Sequence, residues 1–343
     1  MSEPDDIIYE TNRKHPYYRK PIHKAGQEPP PLKCTPGGWE ADLFGPGIVA
    51  CEVEPGTVAL IPRCIAERNG LGYSGYSDEE GPDDFDSDGD TDECSKTCIA
   101  YEKLGVDHES IVSYRGREPS NGLPLLAQPT GPTFHEFYNT QGENMWPPTL
   151  GHVAPQYLPL ALSWVLQTLS AVIFVHSKEI FFGNLGTHIC WLQEDLSIKI
   201  VGFVEAKFVN EYGDLAEASK HFGPWFQYSE EEEELGTVES DLHFWASLVY
   251  TFMTGLDVDE SPERLQEGEK TIPKLPAELM GEILTKCWNA QYSSASEAMQ
   301  DVEAFLVAHG FQVERNKVSR AAPNHNMDES MAQLSLRGSG AQG

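Results

Sequence analysis

Positive charge is scarce in this chain. Its 343 residues hold 54 acidic side chains against 24 lysines and arginines, a formal net charge of -30. A surface of that sign repels nucleic-acid phosphates and anionic lipid, so the expected partner is a protein, basic in character, with no nucleic acid and no membrane. Paired cysteine motifs are missing too. The seven cysteines (Cys34, Cys51, Cys64, Cys94, Cys98, Cys190 and Cys287) are odd in number and form no C-x-x-C pair. Reduced thiols in the cytoplasm or nucleus are therefore expected, not a disulfide framework. Cys94 and Cys98 are spaced to share a helix face, but no second pair of His or Cys completes a zinc set. The N-terminal MSEPDDIIYETNRK lacks the apolar core of a signal peptide. Tyr157 to Val175 runs nineteen residues without a charge, close to spanning length. It is interrupted by Pro159, Ser163, Gln167, Thr168 and Ser170 and has no flanking Lys/Arg cluster, so it reads as a buried helix of a large domain.

Hydrophobic content of 40% and 10% aromatics allow a sizeable core. Residues 1–36 are polar, with Pro29, Pro30 and Pro31 in a row, and read as a disordered arm whose basic residues oppose the overall sign. Between about 39 and 65, short apolar runs punctuated by Gly45, Gly47, Pro55 and Gly56 predict strands with tight turns. Residues 70–93 become glycine-rich and then acidic. Ten carboxylates and no Lys or Arg fall between Asp78 and Glu93, the pattern of a disordered insert. A helical pattern resumes at 94–105. Strands are expected around Ile111–Tyr114 and Leu123–Ala127, and helices over about 157–177, 240–254, 276–289 and 295–309. Residues 313–343 read as a disordered tail.

The segment His176 to Phe208, HSKEIFFGNLGTHICWLQEDLSIKIVGFVEAKF, has the spacing of H-S-K-G-I-V-H-R-D-L-K-P-E-N-I-L-L followed by I-K-I-V-D-F-G-L-A-K. It resembles the catalytic centre of protein kinases, in the manner of divergent fungal kinase-like chains. The resemblance implies an α+β bilobal fold: a small β-rich N-lobe over 37–132 and a larger helical C-lobe over 133–312, with Gln128 to Pro132 between them. It also implies that the chemistry is gone. The H-R-D tripeptide falls on Phe182, Gly183 and Asn184, and an amide has no basic lone pair to accept the substrate's proton. The metal-binding Asn falls on Ile189, and D-F-G on Gly202, Phe203 and Val204. Magnesium demands oxygen ligands, which Ile and Gly side chains do not offer. The nucleotide lysine falls on Ile61, with Arg63 as candidate substitute, and its Glu partner falls near Thr97, with Glu93 and Glu102 as alternatives. Gly45-Pro46-Gly47 resembles the start of a phosphate-cradling loop and reads equally as a plain turn.

Structural positions survive within the same resemblance. Phe182 and Phe203 match members of an apolar column joining the lobes, each gaining about 1.5–3 kcal/mol if fully buried. Ser240-Asp241 matches the segment whose Asp holds the catalytic-loop backbone, and reads equally as a helix N-cap. The implied function is a pseudokinase acting as a protein-interaction or regulatory scaffold. The alternative is an active, non-standard kinase using Arg63, Glu205 or Asp195. ATP is then a cofactor without a recognisable magnesium site. Two further patterns stand apart. Asp84-x-Asp86-x-Asp88-Gly89 matches half of an EF-hand loop but carries Ser95 at the twelfth position. Ser77 and Thr91 precede acidic residues and are candidate phosphorylation sites.

Overall fold

The computed structural model describes residues 9–11, 19–21, 48–62, 87–119, 122–208, 236–262 and 272–320. Gly45, Gly47, Arg63, Ser77, Asp84 and Asp86 lie outside them, as do the acidic residues 78–86 and 230–234 and the tail beyond Arg320. Mixed α and β structure is present, with small antiparallel sheets and, among the described residues, six α-helices.

Alternating and β-branched residues build the main sheet. Strand β3 (Ile48–Glu54) turns through Pro55-Gly56 into β4 (Thr57–Pro62). Gly56 has φ 78°, a left-handed value that a side chain resists. Strands β5 (Tyr114–Arg117) and β6 (Pro124–Ala127) complete an antiparallel sheet of order β3-β4-β6-β5. Helix α1 (Ser87–Leu104) packs on β4, β5 and β6. Its buried Cys94 and Cys98 thiols point to the Leu60 and Gly122 carbonyls, at 3.6 Å and 3.5 Å.

Three departures from expectation concern chain ends and the acidic stretch. Helix α1 begins at Ser87, inside the segment expected to be disordered through Glu93. Asp88, Gly89 and Ser95 are helical, so the second half of the EF-hand pattern does not form a loop. Within the expected arm, β1 (Tyr9–Thr11) pairs antiparallel with β2 (Arg19–Pro21). The expected tail is ordered to Arg320: β11 (Phe311–Glu314) and β12 (Lys317–Arg320) form a hairpin that buries Phe311 and Val318.

The helical part gathers around one apolar rod. Helix α2 (Phe134–Met145) starts at Thr133, whose hydroxyl accepts from Glu136 N–H while Glu136 returns a bond to Thr133 N–H. Helix α3 (Leu158–His176) is the uncharged segment. It is long and apolar enough to cross a membrane by composition, yet 78% of that window is buried inside the protein. Its polar interruptions are all engaged. Ser163 Oγ accepts from Val318 N at 2.8 Å, Gln167 Oε1 from Ile198 N at 2.8 Å, and Thr168 Oγ1 from Trp245 Nε1 at 3.1 Å. These bonds tie the rod to β12, to β9 (Ile198–Ile200) and to α4 (Val238–Thr254). Helices α5 (Gly281–Trp288) and α6 (Ala295–Ala308) pack against α4 and α3 respectively.

Two short ladders carry the chain between these parts. Strand β8 (Cys190–Leu192) pairs with β9, and β7 (Ile180–Phe181) with β10 (Lys207–Phe208). Ile200 bridges in parallel to Ile111, next to β5. The Gln128–Pro132 connection lies on β8: Gly131 N donates to Leu192 O at 3.0 Å, and Leu192 N to Pro132 O at 2.9 Å. A Cβ on Gly131 would sit 2.8 Å from Leu192 O, so only glycine permits that approach.

Candidate functional site

The residues singled out between 182 and 203 converge where β7, β10, α4 and α1 meet. The fixed point is Asp241, fully buried in the first turns of α4. Its Oδ2 accepts from Phe182 N at 2.9 Å and from His176 Nε2 at 2.8 Å, and its Oδ1 accepts from Gly183 N at 3.0 Å. The N-cap of α4 is instead Thr237, which exchanges bonds with Ser240. Asp241 sits one turn further in, and its lone pairs serve the 182–183 loop. Gly183 has φ 77°, and a Cβ there would lie 2.2 Å from Glu205 O. This contact brings the 182–184 loop against the loop that follows β9.

The second loop is held from α1. Gly202, at φ 80°, donates its N–H to Tyr101 Oη at 3.3 Å. Phe203 N donates to Thr97 Oγ1 at 3.3 Å. Thr97, where the resemblance places a glutamate, is a fully buried hydroxyl serving as a backbone anchor. The rings continue the link. Phe182 stacks on Phe203 at 5.2 Å and 14°, Phe203 meets Tyr101 edge-on at 4.9 Å and 83°, and Tyr101 stacks on Tyr114 at 5.2 Å and 6°. An unbroken aromatic column thus runs from the 182 loop through α1 to the sheet. Burial raises the Tyr101 phenol well above its usual range, against a lowering by the Gly202 N–H, so the hydroxyl stays neutral.

The remaining positions offer little chemistry. Asn184 is half-buried. Ile189 is buried in a short 3-10 turn (Thr187–Ile189), and Val201 N donates to its carbonyl at 2.8 Å, which sets it beside Gly202. Ile61 is fully buried in β4. Glu102 forms a two-pronged pair with Arg117, at 2.8 Å and 3.1 Å. Asp195 is taken up in the β8–β9 turn by Ser197 and by Lys317 Nζ at 2.7 Å. Those bonds overcome its burial and bring its pKa down to about 2. Among the described residues no group of three His, Cys, Asp or Glu could hold a metal ion.

Two residues escaped the sequence reading. His176 ends α3 and reaches Asp241 across sixty-five positions of chain, a pairing no local pattern announces. His188 lies beneath Gly186, where a Cβ would come within 2.6 Å of its Nδ1. Burial lowers the His188 pKa to about 4, so the ring is neutral at pH 7. The signal for His188 was its position between Gly186 and Ile189, inside the very segment that carries the kinase resemblance. No protein-family model and no curated protein matches this sequence.

Proposed function

We propose that this chain is a bilobal, catalytically degenerate protein kinase-like domain that works as a protein-interaction or regulatory scaffold. The sheet with α1 would form the small lobe and α2 to α6 the large one. The observation that carries the reading is the pairing of retained support with absent chemistry. Asp241 holds the Phe182–Gly183 backbone and the aromatic column is continuous, while Asn184, Ile189 and Gly202 stand where proton acceptor and metal ligands belong. A scaffold needs the first set and not the second.

The test separates nucleotide binding from phosphoryl transfer. A thermal-shift titration with ATP is run with and without magnesium, followed by radiolabel transfer from ATP onto basic peptides. The expected result is no magnesium-dependent increase in the melting temperature and no labelled peptide. Labelled peptide that disappears in Arg63→Ala or Glu205→Gln variants would establish the active, non-standard kinase instead.

A further inference from the structure

Beside the aromatic column, and separate from the 182–203 loops, a cavity of about 270 Å³ opens between the end of α1, the loop that follows it and α3. The rings of Tyr101, Tyr114, Phe174 and His108 line it, together with the carboxylates of Glu102 and Asp107. Neither a lysine nor an arginine is among its walls. Val106 stands at the mouth, 63% exposed. We infer that this cavity binds an arginine side chain presented by a partner protein.

Three features select that occupant. Aromatic faces attract cations, and the planar guanidinium stacks on them better than an ammonium does. Phe174 is already engaged, by His108 stacked on it at 4.8 Å and 18° and by Lys178 Nζ 6.0 Å from its centroid, which leaves the Tyr101–Tyr114 pair as the aromatic wall for the occupant. The available charge is negative. Glu102 is engaged by Arg117; Asp107 is exposed and within the electrostatic reach of Lys199, but forms no ion pair among the described residues. His108 adds no positive charge. Its Nδ1 accepts from Ser110 N at 3.2 Å, so Nε2 carries the proton and donates to Ser170 Oγ at 3.2 Å, and burial lowers the ring's pKa. A phosphate-bearing ligand would meet Glu102 and Asp107 and no lining lysine or arginine, while a net charge of -30 steers basic partners toward the surface. The site also has a path inward. Tyr101 forms one wall and its hydroxyl holds Gly202, so an occupant touches the side chain that anchors the second loop.

The experiment titrates the full chain with an acetyl-Gly-Arg-Gly-amide peptide at physiological salt, by isothermal calorimetry. The neutral isostere with citrulline in place of arginine runs in parallel. One saturable site is expected for the arginine peptide, with affinity for the citrulline peptide lower by about tenfold or more. Val106→Trp, which blocks the mouth from an exposed position without altering charge, should abolish binding. Asp107→Asn should weaken it, and Glu303→Gln, on the exposed face of α6, should leave it unchanged. Circular dichroism establishes that each variant folds. Equal binding of the two peptides, no saturable binding, or binding indifferent to Val106→Trp overturns the inference. None of these outcomes depends on whether the chain transfers phosphate.

Discussion

Asp241 illustrates how a single buried carboxylate can define a loop. It has no exposed surface, and its two oxygens answer three donors from outside its own helix. An amide at this position offers one acceptor to three donors and turns an N–H toward them. Asp241→Asn should therefore destabilise the fold by about 2 kcal/mol, and Asp241→Ala, which leaves Phe182 N and Gly183 N without any acceptor, by about 3 kcal/mol or more. Urea unfolding followed by fluorescence measures both. A loss under about 0.5 kcal/mol in the alanine variant would mean that water replaces the carboxylate. In the sequence, Ser240-Asp241 read equally as a cap and as a loop anchor. The two readings differ by one helical turn, and only the position of Thr237 as N-cap separates them.

At the level of elements, the long helices α3, α4 and α6 were legible because their apolar periodicity extends over several turns. The elements that the periodicity does not announce depend on a short apolar face or on nonlocal contacts. Helix α2 is announced only by the Thr133-x-x-Glu136 capping box, since its apolar face is three buried residues: Phe134, Phe137 and Met145. The sequence from 313 onward reads as tail because the strands of the β11–β12 hairpin are mostly exposed, with Phe311 and Val318 the anchors. Its order comes from α3, through Ser163 to Val318 N and Gln167 to Asn316 O, and from the Asn316–Glu109 contact. Val318→Ala should cost about 1–2 kcal/mol by the loss of buried methyl groups. Lys317→Ala, which breaks a pair exposed at both ends, should cost under about 0.5 kcal/mol. Chemical denaturation of the two variants side by side distinguishes a packed hairpin from one held by its ion pair.

For the molecule as a whole, two histidines, one in the loop after α1 and one in the Thr187–Ile189 turn, bias stability in the same direction. Burial lowers the pKa of both His108 and His188, the latter to about 4. In the unfolded chain each ring takes up a proton near pH 6.5, so the unfolded state binds more protons between these values. Stability is therefore full above about pH 6.5 and falls as the pH drops toward 4. Asp195, with its pKa lowered to about 2, adds a loss only below the ordinary carboxylate range. The reduction of a -30 charge toward the isoelectric point near 4.6 acts the other way, by relieving self-repulsion. Urea midpoints from pH 7 to 4.5, taken at fixed high salt to screen that repulsion, should decline, and His188→Gln should flatten the decline. A wild-type profile that stays level at high salt would show that these rings do not gain protons on unfolding.

The sequence by itself determined the acidic surface, the uncharged core helix, the thiols without pairing motifs and the identities of the residues at 182–184, 189 and 202–203. These are matters of composition and short-range period, and a chain carries them before it folds. Tertiary structure decided which side chains serve whom. His176 meets Asp241, Thr97 meets Phe203 and Val318 meets Ser163 across separations of 65 to 155 residues. No local pattern encodes such meetings, because they are set by how buried donors and acceptors find one another when water is excluded.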